Sequence, residues 1–209
     1  MSQPWPVAGT IPEITSTGGA LFHAGELFSG PELHGMCRDG LMTRVYGSTY
    51  VRWDVRPGPL ARALAAQHAL PAAVRGRYVF GRLTAAWIFG CAPPPARLAL
   101  LADNRHRGTA LPPFSGAVLH EVALGPADRL DLGGAAVTQP LRTAVDVALH
   151  CPGPDAVHAL ARMACEPGLN ASLVYVRSLL LSMHRVPGTR RALEAVEAAE
   201  AAAAAGPPA

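Results

Sequence analysis

The sequence of 209 residues contains no lysine, so every one of its 18 Lys and Arg positions is an arginine. A nuclease core of the restriction type uses an acidic residue followed by a Glu-x-Lys motif, and this motif cannot occur in its usual form without lysine. The G-x-S-x-G, G-x-G-x-x-G and P-loop motifs of other enzyme classes are also absent from the sequence. Together these absences predict that the chain is not an enzyme.

Aromatic residues are scarce, at 6%, whereas half of all residues are hydrophobic. The expected core therefore consists mainly of alanine, leucine and valine. The net charge of +3 permits binding to nucleic acid without requiring it. A chain rich in alanine, glycine, proline and arginine but without lysine also reflects a GC-rich genome, which weakens any argument from total basicity.

The four cysteines form no C-x-x-C motif, and no histidine lies at the spacing of a zinc finger. We therefore predict small buried thiols in a reducing compartment, with no metal and no cofactor. They are Cys37, Cys91, Cys151 and Cys165. The first residues do not resemble a signal peptide, and no apolar run is long enough for a membrane span. The expected localisation is cytoplasmic, with no membrane partner.

The pattern of elements predicts an α+β fold in three parts. Residues 1–56 are expected to form a winged-helix-like N-terminal module, residues 57–150 a small mixed α/β domain, and residues 151–209 a helical C-terminal region. Pro57 and Pro59 mark the first boundary. The proline-rich residues 1–20 are predicted to be an arm. The Ala/Glu helix at 189–205 is expected to fray, and residues 206–209 to be disordered.

A short helix followed by a β-hairpin is predicted within residues 29–53. Ser29 and Pro31 are typical of a helix start, Gly40 closes the helix, and two alternating runs flank a turn at Tyr46 and Gly47. This order is that of the last half of a winged helix-turn-helix, in which the helix enters the major groove and the hairpin grips the DNA backbone. The candidate DNA-binding side chains are His34, Arg38, Arg44 and Arg52. The alternative is a helix and hairpin that merely cap a core, and the residues favour neither.

Two further stretches are basic and are candidates for contacts with phosphates. Three arginines flank the aromatic run at residues 78–80, and a basic loop follows at residues 104–108. The candidate phosphate-contacting residues are Arg75, Arg77, Arg105 and Arg107. The alternative for these arginines is an ordinary solvated surface.

The stretch at residues 137–149 predicts a strand end, a helix cap at Thr138 or Gln139, and a helix with Pro140 in its first turn. Arg142 and Asp146 are four residues apart, so their side chains meet on one helix face. One interpretation is a buried helix with a single ion pair. The other is that the pair ties the helix to a neighbouring segment. In both, the pair is structural and not catalytic.

Three stretches together resemble the actinobacterial AbiEi-type antitoxin family of type IV toxin–antitoxin systems. They are GLMTRVYGSTYV at residues 40–51, LTAAWIFG at 83–90 and VTQPLRTAVDVA at 137–148. The resemblance implies a winged-helix N-terminal domain joined to an antitoxin domain. It further implies a transcriptional regulator that binds double-stranded DNA of its own promoter, represses its operon and counters a nucleotidyltransferase-like toxin protein.

The sequence departs from this family in two ways. The N-terminal module is short and its first helices are interrupted by glycine and proline, which predicts weakened DNA binding. Some relatives continue into a nuclease-like domain, and here an Ala/Glu tail is expected instead. The alternatives are therefore a protein-interaction module with a vestigial wing, or an orphan domain related to the nuclease-fused relatives. The first alternative predicts an exposed apolar patch on the C-terminal helices.

Overall fold

The computed structural model describes residues 21–105, 110–183 and 186–206. Seven α-helices and eight β-strands lie within these ranges, which confirms the α+β class. The described chain divides into two compact units. The first comprises the residues up to Arg77 together with Asp131–Ala135, and the second comprises Tyr78–Leu130 and the residues from Ala136 onward. The expected arm at residues 1–20 and the last three residues lie outside the described ranges.

The first unit contains a three-stranded antiparallel sheet with the strand order β1-β3-β2. Strand β1 is Phe22–His23, β2 is Met42–Tyr46 and β3 is Thr49–Arg52. Helix α1, Gly30–Arg38, connects the first two strands, and helix α2, Pro59–Ala69, follows the third. The predicted helix and hairpin are both confirmed.

The core of the first unit is small. Leu33 of α1 is fully buried and packs against Met42 and Tyr50 of the hairpin. Partly buried apolar residues surround this cluster: Phe22, Ala24, Phe28, Met36 and Cys37. Helix α2 contributes a buried alanine face, consisting of Ala61, Ala63, Ala65 and Ala66. Val45, Val51, Leu70 and Val74 are buried as well, so the core of this unit consists mostly of small and medium-sized side chains.

The second unit is built on a five-stranded mixed sheet with the order β6-β5-β4-β8-β7. The strands are β4 Val79–Phe80, β5 Leu98–Asp103, β6 Ala117–Val122, β7 Arg129–Leu132 and β8 Ala135–Thr138. Strand β4 pairs antiparallel with β5 and parallel with β8, and β5 pairs parallel with β6. The residues at the turn of the β7–β8 hairpin are those grouped with the first unit.

Five helices complete the second unit: α3 Arg82–Ile88, α4 Pro140–His150, α5 Pro154–Cys165, α6 Leu173–Ser182 and α7 Thr189–Ala204. Helix α4 begins after Gln139 with Pro140 in its first turn, as the sequence predicts. Most of its residues are buried, and it packs against α3, α5, α6 and α7. Helix α4 is therefore the centre of the helical layer.

The Ala/Glu helix near the C-terminus differs from the expectation of a fraying tail. Helix α7 packs against α4, α5 and α6, and Ala192, Val196 and Ala199 are fully buried on its inner face. Alanine allows close approach of two helix backbones, so a face that appears too poor in apolar residues still packs well. The expectation of fraying for this helix was wrong.

The two units also group the chain differently from the expected three parts. Pro59 lies in the first turn of α2, where a missing N–H costs nothing, so the prolines begin a helix and do not separate domains. Helix α2 packs against β2 and β3 and belongs to the first unit. Helices α4 and α5 pack together, so residue 150 is not a boundary either.

Two composition-based expectations are also tested. The prediction of small buried thiols is correct for Cys91 and wrong for the other three cysteines, since Cys37 and Cys151 are partly exposed and Cys165 is exposed. All four are free thiols. No helix among the described residues is long and apolar enough to cross a membrane.

Candidate nucleic-acid interface

Helix α1 has a well-defined start. The Ser29 hydroxyl accepts a hydrogen bond from the backbone N–H of Glu32 at 3.4 Å, and the Glu32 carboxylate accepts one from the backbone N–H of Ser29 at 2.7 Å. This capping box satisfies two backbone donors and lowers the pKa of Glu32 through the hydrogen bonds from Ser29. The helix ends at Arg38, with Asp39 as its C-terminal capping residue, followed by Gly40 at a φ of 73°.

The outward face of α1 carries the predicted DNA-binding residues His34 and Arg38, and both are exposed. Glu32 and Asp39 are exposed on the same short segment. The segment therefore presents one arginine against two carboxylates. This balance gives α1 a weak electrostatic attraction to phosphates, although the two basic side chains are placed as the sequence predicts.

The hairpin places Arg44 on the exposed side of β2, where its Nε donates to the backbone carbonyl of Gly47 at 2.7 Å. This bond holds the Arg44 side chain against the turn of the hairpin. Arg52 at the end of β3 is also exposed, but its Nη2 forms an ion pair with Asp54 at 2.6 Å. Arg44 is thus the more available of the two hairpin arginines, because the charge of Arg52 is already balanced by Asp54.

The segment that precedes α1 is short. Within the described residues only a turn, from Ala24 to Ser29, separates β1 from α1. The backbone N–H of Gly25 donates to the carbonyl of Phe28, and the N–H of Glu26 donates to the carbonyl of His23. A tight turn therefore stands where a complete helix-turn-helix has the helix that precedes its recognition helix.

Arg75 and Arg77 are bound to backbone carbonyls near the end of α2. The Arg75 guanidinium donates to the carbonyl of Leu70 at 2.9 Å and to that of His68 at 2.7 Å. Arg77 Nη1 donates to the carbonyl of Ala73 at 3.4 Å. Arg75 thus satisfies carbonyls that the end of the helix leaves open, which is a structural role. The aromatic rings of Tyr78 and Phe80 are buried, so they offer no surface for stacking on bases.

The second basic stretch is only partly described. Arg105 pairs with the buried carboxylate of Asp103 and also donates to the carbonyl of Leu124. Its pKa is raised by the hydrogen bond to Asp103. Arg105 therefore connects the end of β5 to the segment after β6 through these contacts. Arg107, the other candidate, lies outside the described residues.

The Arg142–Asp146 pair ties α4 to a neighbouring segment. Arg142 Nε donates to Asp146 Oδ1 at 2.9 Å, while its Nη1 lies 3.1 Å from Asp128 Oδ2 and 3.2 Å from the carbonyl of Ala123. The contact with a neighbouring segment that the second interpretation expects is thus present, at Asp128 and Ala123. Burial raises the pKa of Asp146, and the charge of Arg142 opposes this shift.

A polar cluster beside Asp146 was not predicted from the sequence. Arg82 adopts a left-handed φ of 54° at the start of α3, and its Nη1 lies 3.1 Å from His120 Nε2. Burial, reinforced by the charge of Arg82, lowers the pKa of His120 and of His150. Asp146 Oδ2 and Arg82 Nε are buried without a hydrogen-bond partner in the described part of the chain. The cluster places the half-buried Arg82 near two histidines, and the charge of Arg82 lowers the pKa of Asp146 against the larger, raising effect of burial.

The predicted residues therefore separate into two groups. His34 and Arg38 are exposed on α1 and Arg44 and Arg52 are exposed on the hairpin of the first unit, whereas Arg75, Arg77, Arg105 and Arg142 are engaged in contacts within the chain. The sequence matches no known family model, and no curated protein is similar enough to it to count as a relative.

Proposed function

We propose that the first unit is a reduced winged-helix module that binds double-stranded DNA, and that the protein is a transcriptional regulator of the antitoxin type. In this proposal it acts in the cytoplasm, represses its own operon and counters a nucleotidyltransferase-like toxin. The single observation that supports it is the placement of α1. A capped helix with outward His34 and Arg38 is followed directly by a hairpin with an exposed Arg44.

The charges on this surface set the expected strength of binding. Arg38 and Arg44 are the main candidates for phosphate contacts, and Arg52 is a third once its pair with Asp54 opens. Each neutralised phosphate contributes a slope of about −0.9 to the dependence of log K on log salt. We therefore expect a slope of about −2 to −3, with affinity further reduced by Glu32 and Asp39.

The test is binding of the purified protein to DNA from its own upstream region and to a scrambled duplex, each at low and at physiological salt. Arg38→Ala and Arg44→Ala are expected to weaken binding and to reduce the salt slope by about 1 each. Arg190→Ala is the matched control, because this α7 arginine is 95% exposed and lies in the other unit. Equal binding to both duplexes, or equal losses for the control, would refute a sequence-specific regulator.

A second candidate function rests on the exposed apolar face of α6. Val174 is 69% exposed, Tyr175 is 64% exposed and Leu181 is 62% exposed, and Leu179 is exposed to a lesser extent. These are the large apolar side chains that a protein-interaction module would present. Arg177 of the same helix is paired with Glu200 of α7. The occupant that fits an uncharged stripe on one helix is the apolar face of a helix from the toxin protein.

This candidate is tested by co-expression with the product of the adjacent gene and measurement of co-elution by size exclusion. Tyr175→Glu is expected to abolish co-elution without changing DNA binding, because the substitution lies in the second unit. Glu197→Gln on the exposed side of α7 is the control. Elution of the chain alone as a dimer that Tyr175→Glu converts to a monomer would assign the face to self-association instead.

A further inference from the structure

Three side chains with metal-binding atoms come together in the first unit, away from the outward face of α1. One ligand atom each from His23, Glu26 and His68 lies within 4.8 Å of the others. No metal is expected from the sequence, and these three residues form no recognised motif, since His68 is 42 positions from Glu26. We propose that they bind one divalent transition-metal ion, with Zn²⁺ the ion best suited to two imidazoles and a carboxylate.

The local backbone explains why the first two ligands are adjacent. Strand β1 places His23 opposite Thr49 of β3 in the sheet register. The chain then reverses through Gly25, which has a φ of 94°, and the N–H of Glu26 donates to the carbonyl of His23 at 3.2 Å. This tight turn brings the Glu26 carboxylate back beside the His23 imidazole. His68, in the last turn of α2, provides the third ligand.

The His23 ring is held as metal-binding histidines usually are. Its Nδ1 lies 2.9 Å from the hydroxyl of Thr49, and Thr49 is completely buried. A metal-ligating histidine typically donates its other ring N–H to an oxygen, which fixes the tautomer and the ring orientation. The proposal places the proton of His23 on Nδ1, donating to the Thr49 hydroxyl. The lone pair of Nε2 is then available to the ion.

The surroundings of the two rings lower their pKa values. The pKa of His23 is lowered by burial and then by His68, and the pKa of His68 is lowered by burial and then by Arg75, whereas Glu26 acts in the opposite direction on both rings.

The charges around the site partly oppose the ion. Arg75 donates to the carbonyls of Leu70 and His68, so its guanidinium stands close to the ligands. Glu26 supplies the one negative charge of the ligand set. An ion held by two neutral imidazoles and one carboxylate next to a cation binds less tightly than one in a four-ligand structural site. We therefore expect micromolar affinity.

Binding also requires one local movement. The His23 and His68 rings are stacked, with centroids 3.7 Å apart and an angle of 12° between their planes. Parallel rings cannot both direct a lone pair at one ion, and tetrahedral zinc places its ligand atoms roughly 3.3 Å apart. The ring of His68 must therefore tilt out of the stack. This ring is partly exposed at the end of a helix, so the tilt displaces no core residue. A water molecule is the expected fourth ligand.

The role of the ion follows from the small core of the unit. It would fasten the turn between β1 and α1 to the end of α2, at the position where a complete helix-turn-helix has an additional helix. Small cores with few large apolar residues are often reinforced by a metal. The inference does not rest on DNA binding, because the site concerns the stability and order of the first unit.

The test is titration of the metal-free full-length protein with Zn²⁺ by calorimetry and with Co²⁺ by visible absorption, which reports tetrahedral coordination. We expect one equivalent to bind, a rise in the melting temperature, and a loss of affinity of at least 10-fold for His68→Gln and for Glu26→Gln. His158→Gln on the exposed side of α5 is the control. Melting without metal shows whether each variant is folded.

Three outcomes would overturn the proposal. They are wild-type binding no tighter than that of His68→Gln, equal losses for His158→Gln, and an octahedral Co²⁺ spectrum unaffected by Glu26→Gln. The DNA-binding assay is independent of this titration, so failure of one does not decide the other.

Discussion

Replacement of Arg142 tests whether its ion pairs secure the second unit. In Arg142→Gln the carboxylate of Asp146 stays buried and loses its nearest counter-charge, at 2.9 Å, while Asp128 loses a contact at 3.1 Å. Removal of one partner from a buried pair costs about 3–5 kcal/mol. Arg142 retains 23% of its side-chain exposure, so solvent partly replaces it. We expect a loss of about 2–3 kcal/mol in the free energy of unfolding of the second unit.

The partner substitution Asp146→Asn has a different expected result. It removes the buried charge, keeps the side-chain size and leaves an amide oxygen that still accepts a hydrogen bond from Arg142. We expect it to change stability at pH 7 by less than about 1 kcal/mol, because the desolvation cost of the carboxylate disappears with its pairing. In the Asp146→Asn background, Arg142→Gln should cost only about 1 kcal/mol, so the double-mutant cycle yields a coupling of about 1–2 kcal/mol.

The pH dependence of the same pair has a definite sign. Burial raises the folded-state pKa of Asp146 above its ordinary value of 3.8. At pH values between 3.8 and the folded-state pKa, the folded protein therefore holds a proton that the unfolded chain has released. The contribution of Asp146 to stability is therefore present at low pH and is lost as pH rises through its folded pKa. Asp146→Asn should remove this component, and Arg142→Gln should extend it to higher pH.

The measurement is denaturant unfolding followed by far-UV circular dichroism, since most of the helices lie in the second unit. Arg190→Gln is the control, because its pair with Glu194 is exposed with atoms 3.7 Å apart, and its effect should stay below about 0.5 kcal/mol. A loss below about 1 kcal/mol for Arg142→Gln would refute the reasoning. An equally large loss at pH 7 for Asp146→Asn would refute it as well.

Three further predictions concern single positions. Gly81→Ala should lower the free energy of unfolding by about 1–3 kcal/mol through overpacking, since the new Cβ would lie 2.5 Å from the Cδ1 and 2.6 Å from the Cγ of buried Leu101. A melting temperature no lower than that of the wild type would contradict this prediction. Ser29→Ala should cost about 1 kcal/mol in the first unit by removing the capping box, and unchanged chemical denaturation would argue against that cap. Because the folded-state pKa values of His23 and His68 lie below the ordinary 6.5, the unfolded chain binds protons first, and the metal-free first unit should lose stability as pH falls below 6.5. In His68→Gln that decline should be shallower, and an identical pH profile would exclude the histidine pair as its origin.

Local sequence signals account for most of the elements of the fold. The capping residues around Ser29, the alternating runs of the hairpin and the spacing after Pro140 each depend on neighbours within a few positions, so α1, β2, β3 and α4 were predictable. Helix α7 was misjudged because its stability comes from contacts with three other helices. Its alanines are indistinguishable in sequence from those of a solvated helix, and only the partners reveal that one face is buried.

The site was harder to predict because the role of an arginine depends on which groups accept its hydrogen bonds, and these acceptors are distant in sequence. Arg142 is four residues from Asp146, and the sequence shows this, but its contact with Asp128 crosses 14 positions and requires the fold. Arg105 likewise donates to the carbonyl of Leu124, and no sequence motif predicts this contact. The number of arginines therefore overestimates the positive charge available to a ligand on the surface, since several arginines form hydrogen bonds that connect segments of the backbone.

The same argument explains why the helix and hairpin of the first unit remain the best candidate interface. Among the exposed arginines of the first unit, Arg38 and Arg44 lie on the consecutive elements α1 and β2, although Nε of Arg44 donates to the carbonyl of Gly47. Glu32 and Asp39 limit the positive field of these two arginines. A double charge removal, Glu32→Gln with Asp39→Asn, should therefore strengthen DNA binding and leave the salt slope nearly unchanged, because the number of phosphate contacts stays the same. Glu194→Gln with Glu197→Gln on α7 is the charge-matched control. If both pairs strengthen binding equally, net charge governs the interaction and the placement of α1 carries no specificity.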